Sequence, residues 1–109
     1  MAEIQLGIEG AAAVAASEAL LQIDDVSGKW VPASDEPERE GVLATIATIV
    51  GITAGTLTVA EKIYKWYRAW SERESPNPSI EKVVLVGRNG QRILLKEASV
   101  EDIKRLLDA

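Results

Sequence analysis

The side chains of this chain that could do chemistry are few, because the sequence contains no cysteine and no histidine. Their absence excludes disulfides, thiolate nucleophiles, the usual zinc sites and every mechanism in which histidine activates a serine or a cysteine. Two pairs of adjacent acids remain, Asp24-Asp25 and Glu101-Asp102. Neighbouring side chains point in different directions on a helix or a strand, so neither pair suits general acid–base catalysis. We therefore expect no enzyme activity, no cofactor, no metal site and no small-molecule substrate.

A second group of functional side chains is an aromatic and basic cluster between residues 64 and 70. Its members are Tyr64, Lys65, Trp66, Tyr67, Arg68 and Trp70. Aromatic rings beside basic groups are typical of protein interfaces and of the two boundaries of a membrane. We predict that this cluster forms an interface with a protein partner or a belt at a membrane surface.

Directly before this cluster, the twenty residues 41–60 (GVLATIATIVGITAGTLTVA) pass without a charge. A helix of this length would measure about 30 Å, the thickness of a bilayer core. At 100° per residue, such a helix has an aliphatic face and a face of small side chains. The small face comprises Ala44, Ala47, Thr48, Gly51, Gly55 and Thr58. Small residues four positions apart allow close helix packing, so we predict that this face mediates helix packing or oligomerisation.

Two interpretations of the helix remain open. In the first, which we favour, it is buried in a soluble domain or an oligomer, and Val59, Ile63 and Trp66 extend its apolar edge at helical spacing. In the second it inserts into a membrane, and the bases that follow the run mark a cytoplasmic boundary. Five threonines and three glycines make the run only moderately hydrophobic, which weighs against the second interpretation.

Charge is distributed unevenly along the chain. The formal net charge is −5; residues 1–40 hold nine acids and two bases, a net of −7, which leaves +2 for residues 41–109. An acidic chain without a basic stripe is a poor candidate for binding nucleic acid. The first residues, MAEIQLGIEG, lack the basic and apolar regions of a signal peptide, so we expect a cytoplasmic location, with membrane association as the alternative.

The remaining segments predict an α+β fold in a single domain, 1–109. The predicted order is β-α-β-long α-β-β-α, with a small sheet of three to four strands, a C-terminal hairpin and one long hydrophobic helix. The elements are a strand at 3–9, an alanine-rich helix at 11–23, a short strand at 26–32, the long helix at about 38–73, the hairpin at 81–97 and a helix at 99–108. The hairpin rests on Asn89-Gly90, a strong signal for a two-residue turn, and the last helix rests on Ser99 and Asp102 as a capping box.

Three stretches together resemble a known family. They are the opening strand IQLGIEG, the tail KWYRAW after the uncharged run, and the hairpin KVVLVGRNGQRILL. The pattern is similar to the effector-associated constant component family of bacterial conflict systems. The resemblance implies a non-enzymatic accessory or adaptor subunit of a defence operon, encoded beside an effector such as a protease or a TIR-type protein.

The sequence thus leads to one main hypothesis and two alternatives. The main hypothesis is an adaptor that self-associates or docks a partner effector through a helix at 41–70. The first alternative is a membrane-inserting or pore-forming effector, released from a soluble state by a trigger such as proteolytic cleavage. The second is a constitutive membrane anchor.

Overall fold

A computed structural model describes residues 3–32, 45–53, 55–73 and 79–108 of the chain. Within these ranges the elements are, in chain order, β1 (Ile4–Glu9), α1 (Ala13–Leu21), β2 (Val26–Pro32), β3 (Thr45–Ile52), α2 (Thr56–Ser71), β4 (Lys82–Val86), β5 (Arg92–Leu94) and α3 (Val100–Asp108). The five strands form one antiparallel sheet in the order β2-β3-β1-β4-β5. The domain is therefore α+β, with five strands and three helices in the part described.

The predicted long helix at about 38–73 is wrong. Its middle is strand β3, and α2 begins only at Thr56, after Gly55 in an extended conformation; residues 38–44 and Ala54 lie outside the described residues. The reason for the strand is that six of the eight residues of β3 are β-branched. Such side chains lose rotamer freedom on a helix and pack well on a pleated sheet. The sheet therefore has five strands instead of three to four, and the order becomes β-α-β-β-α-β-β-α.

The helices cover one face of the sheet. Alternate residues of each strand point to that face, which is the period-2 pattern of a half-buried sheet. They are Ile4, Leu6 and Ile8 of β1, Thr45, Ala47 and Ile49 of β3, Val83 and Leu85 of β4, and Ile93 of β5. The helices contribute Leu20, Val59, Ile63, Ile103, Leu106 and Leu107 to the same core cluster.

The hairpin between β4 and β5 turns at the predicted place but with a different loop. The N–H of Gly87 donates to the carbonyl of Gln91 at 2.8 Å, which leaves three loop residues, 88–90. Gly90 has a φ of 86°, whereas Asn89 does not have a positive φ. A two-residue type I′ turn requires positive φ at both positions, so the chain forms the three-residue loop with a left-handed glycine instead. The Asn89 side chain accepts a hydrogen bond from the N–H of Gln91 at 3.0 Å.

This longer loop changes the strand register by one residue. The sequence predicts Val84 opposite Leu95, but Val84 pairs with Leu94. A shift of one residue moves every side chain of a strand to the other face. Relative to β4, the shift therefore reverses the side chains of β5: Ile93 lies with Leu85 on the core side, and Leu94 lies with Val84 on the opposite side.

The C-terminal helix is held at both ends. The predicted capping box is confirmed: the N–H of Asp102 donates to Ser99 Oγ at 3.2 Å, and the N–H of Ser99 donates to Asp102 Oδ2 at 3.0 Å. At the other end, Arg88 of the hairpin loop donates to the carbonyl of Leu107 at 2.9 Å. That bond satisfies one of the carbonyls that a helix leaves unpaired at its C-terminus.

Candidate binding surface

The predicted groove of small residues does not form. Ala47, Thr48 and Gly51 lie on strand β3, where neighbouring residues point to opposite faces of the sheet. Gly55 precedes the first turn of α2, and Thr58 is exposed on that helix. Ala44 lies outside the described residues. The four-residue spacing therefore does not bring these residues onto one helical face, because Ala47, Thr48 and Gly51 lie on a strand.

The aromatic and basic cluster is divided between the core and the surface. Trp66 and Tyr67 are each 7% exposed and belong to the core, which corrects their prediction as part of an interface or membrane belt. The Trp66 indole donates to the carbonyl of Ala16 at 2.8 Å, so this side chain joins α2 to α1. A buried tryptophan usually places its N–H in this way, since an unpaired donor in a core is costly.

The surface members of the cluster contact residues of their own segment. Arg68 pairs with Glu72, donates to the Tyr64 hydroxyl at 3.0 Å and stands over the Tyr64 ring, 5.7 Å from its centre. The hydrogen bonds that Arg68 donates to Glu72, and then to Tyr64, raise the pKa of Arg68, which is a permanent cation in any case. Lys65 is exposed, and Trp70 is partly buried below the Arg73 guanidinium, 4.6 Å from the ring centre. These contacts stabilise the end of α2.

The adjacent acid pairs have structural roles. Asp25 forms an ion pair with Lys62 of α2, and Asp102 is part of the capping box. Hydrogen bonds from Ser99 lower the pKa of Asp102. Within the described ranges, no three acidic side chains come together as a set of ligands for a metal ion.

The uncharged run is divided, in its described residues, between a strand and a helix. Among the residues that the structure describes, no helix combines the length and the apolar character needed to cross a bilayer.

One extended surface stands out instead, the face of the sheet opposite the helices. We call it the open face. A row of side chains in register crosses all five strands there, and it consists of Val31, Ile46, Gly7, Val84 and Leu94, from β2, β3, β1, β4 and β5 in turn. Val31 is 49% exposed, whereas Ile46, Val84 and Leu94 are partly buried by their neighbours.

Gly7 makes the middle of this row concave. It carries no side chain between Ile46 on one neighbouring strand and Val84 on the other. A shallow depression of about 370 Å³ lies over it, and Gln5, Glu9, Lys82, Val86 and Arg92 complete its lining. An aliphatic floor with a few polar groups at its rim is the usual composition of a binding site.

The rim of the open face is mainly basic. A second row parallel to the first runs Lys29, Thr48, Gln5, Val86 and Arg92, so that a base lies at each end. On the other side of the aliphatic row, Lys82 pairs in register with Glu9, and Lys96 lies beside Lys82 and Leu94. The described residues of this rim hold four bases, and three acids oppose them: Glu3 and Glu9 at the ends of β1, and Glu81 beside Lys82 and Lys96. The face therefore carries +1 in a chain of −5. The ion pairs that the structure shows in its described ranges lie on or beside the helices.

Two features of the sequence hide this surface. The absence of charge at 41–60 favours a helix, although the β-branched content of 45–52 favours a strand. The Asn89-Gly90 pair predicts a two-residue turn, whereas the three-residue loop pairs Val84 with Leu94 and Val86 with Arg92. Comparisons of the chain with protein-family models, with curated proteins and with solved structures give no match.

Proposed function

We propose that this protein is a non-enzymatic accessory subunit that binds a partner protein through its open face. The observation that carries the proposal is the aliphatic row across five strands, which no described helix covers. Domains normally bury an apolar sheet face against a second layer. A contiguous apolar patch with a polar rim on a monomer is typical of a protein interface.

The proposal also assigns a biological setting, a bacterial defence system in the cytoplasm. Its support is the resemblance of the opening strand, the KWYRAW tail and the hairpin to the effector-associated family. The partner would then be the effector, such as a protease or a TIR-type protein. The docking surface differs from the helix at 41–70 that the sequence favoured, because that helix and its groove of small residues do not form.

Co-expression with the proteins of neighbouring genes tests this function. We expect one of them to form a complex with the chain that survives size-exclusion chromatography with light scattering. Val84→Asp should weaken the complex by at least about tenfold, since a charge would lie in the middle of the aliphatic row. Leu57→Asp is the matched control, because Leu57 is 46% exposed on α2, in the layer on the other side of the sheet.

Circular dichroism of both variants checks that they are folded. A complex that tolerates Val84→Asp but is lost with Leu57→Asp would contradict the proposal, because it would place the interface on the helical layer. Leakage of liposomes caused by the chain or by a cleaved fragment would instead support the alternative of a membrane-inserting effector.

A further inference from the structure

We infer that the partner segment bound by the open face is an amphipathic helix with an aliphatic stripe and acidic flanks. This inference rests on the proposed function, and it adds the chemistry of the occupant. Three observations lead to it: the state of the sheet edges, the shape of the aliphatic row and the charge around that row.

The edges of the sheet are poorly suited to a partner strand. On one edge, β2 has an irregular register between Ser27 and Gly28 and contains Lys29 and Pro32. Bulges, lysine and proline are the features that discourage the addition of a strand to a sheet edge. On the other edge, β5 has three residues. A partner therefore has better access to the face of the sheet than to its edges.

The aliphatic row has the dimensions of a short helix. It crosses five strands, so at about 4.8 Å per strand its ends lie roughly 19 Å apart. A helix of about 13 residues has that length, and its turns of about 5.4 Å are close to the strand spacing. The missing side chain of Gly7 leaves room for one large aliphatic anchor between Ile46 and Val84.

The net positive charge of the rim favours a partner segment with negative charge. Lys29 and Arg92 lie at opposite ends of one flank of the row, and Lys82 and Lys96 lie on the other flank, where Glu9 and Glu81 are their acidic neighbours. A helix with acids on both sides of its aliphatic stripe would place a carboxylate near each flank. Complementary charge of this kind speeds association and suppresses wrong partners.

The same charge argues against a second copy of the chain as the occupant. A symmetric pair buries the same patch of both copies, so two faces of net positive charge would meet. Like charges brought together across an interface are unfavourable. The acidic partner is therefore the better match for this face.

Synthetic peptides test the inference directly. The probe is a fluorescent peptide of about 18 residues with leucines at i, i+3, i+4 and i+7 and glutamates elsewhere. One matched peptide has lysine for glutamate, and another has the acidic composition in scrambled order. Fluorescence anisotropy should show binding of the acidic amphipathic peptide at least about tenfold tighter than that of either control peptide, and the affinity should fall with added salt.

Variants of the protein locate the binding. The double charge reversal Lys82→Glu with Arg92→Glu should lower the affinity for the acidic peptide by at least about tenfold, and it should raise the affinity for the basic peptide. The conservative pair Lys82→Arg with Arg92→Lys should bind within about twofold of the original chain. Lys65→Glu with Arg105→Glu, on exposed positions of the helical layer, is the matched control and should also stay within about twofold.

The outcomes separate this inference from the proposed function. Equal binding of the acidic and basic peptides, or a dimer of the chain that Val84→Asp disrupts, would overturn the inference. If no peptide binds but the complex with a neighbouring protein is still sensitive to Val84→Asp, the proposed function holds and the acidic helix is wrong. If no complex is sensitive to Val84→Asp, the proposed function itself fails.

Discussion

The two faces of one sheet differ in what covers them. Ile4, Leu6 and Ile8 of β1 are completely buried under the helices. The residues between them, Gln5 and Gly7, lie on the open face and line its depression. Since successive residues of a strand point to opposite sides, one strand contributes both to the core and to the proposed binding surface. Substitutions on the covered face should therefore change stability, and substitutions on the open face should change the proposed binding.

The largest expected effect compares two adjacent residues of β4. Leu85 is completely buried, so Leu85→Ala should lower the free energy of unfolding by about 2–5 kcal/mol through lost burial and a remaining cavity. Val84→Ala, on the open face, should lower it by less than about 1 kcal/mol. Urea denaturation of the two variants measures the difference. Equal losses would mean that the open face is covered in the folded chain, and the comparison of the two faces would break down.

The next effect concerns a buried pair of hydroxyls on the covered side. Ser17 Oγ donates to the carbonyl of Ala13 at 2.8 Å and lies 2.6 Å from Thr45 Oγ1. Because Ser17 has one hydroxyl proton and uses it for Ala13, the Thr45 hydroxyl is the donor between the two side chains. This bond joins α1 to β3 inside the core, where both residues are buried.

The direction of that bond predicts unequal costs for the two partners. Ser17→Ala removes the acceptor and leaves the buried Thr45 hydroxyl unpaired, which should cost about 1–3 kcal/mol in unfolding free energy. Thr45→Val should cost less, since Ser17 keeps its bond to Ala13 and the valine has a similar shape. Thermal denaturation of both variants and of the double variant measures the pair. A larger loss for Thr45→Val would mean that the donor is Ser17.

Local features of the sequence predicted local structure well. The alternation at 3–9 gives β1, the segment 26–32 is β2, and Ser99 with Asp102 forms the expected capping box. In each case the signal lies within a few residues of the structure it produces. The alternating side chains and the short polar caps are physical causes that act at short range.

The open face could not be predicted in the same way, because it depends on pairing between distant segments. Its row brings together residues from positions 7, 31, 46, 84 and 94, and the pairing of five strands decides which of them are neighbours. The length of the uncharged run favours a helix at 41–60. The β-branched residues of β3 favour a strand instead, and this strand pairs with β1 on one side and with β2 on the other. At the hairpin, one additional loop residue changed the partner of Val84 from Leu95 to Leu94 and that of Val86 from Ile93 to Arg92.

The smallest expected effect is the pH-dependent contribution of Asp102 to stability, at the start of helix α3 in the covered layer. Ser99 lowers the pKa of Asp102, through hydrogen bonds that the charged carboxylate accepts. A folded-state pKa below the ordinary value of about 4 means that the carboxylate stabilises the fold above that pH. The contribution should disappear as the pH falls through the lowered value. Asp102→Asn, which does not titrate, should therefore be less stable than the original chain at pH 6 and should approach its stability at about pH 2.

Two further variants make this measurement specific. Glu101→Gln removes a charge from the same helical turn and leaves the capping box in place. Its difference in unfolding free energy from the original chain should therefore change less with pH than that of Asp102→Asn. Asp108, whose pKa is lowered by Lys104 and then by Thr56, provides a second acid-sensitive contact, at 2.5 Å between Thr56 Oγ1 and its carboxylate. Asp102→Asn should consequently retain part of the acid sensitivity, and combining it with Asp108→Asn should remove more. If Asp102→Asn lowers the unfolding free energy by the same amount at pH 6 and at about pH 2, the charge of the Asp102 carboxylate does not contribute to the stability of the cap.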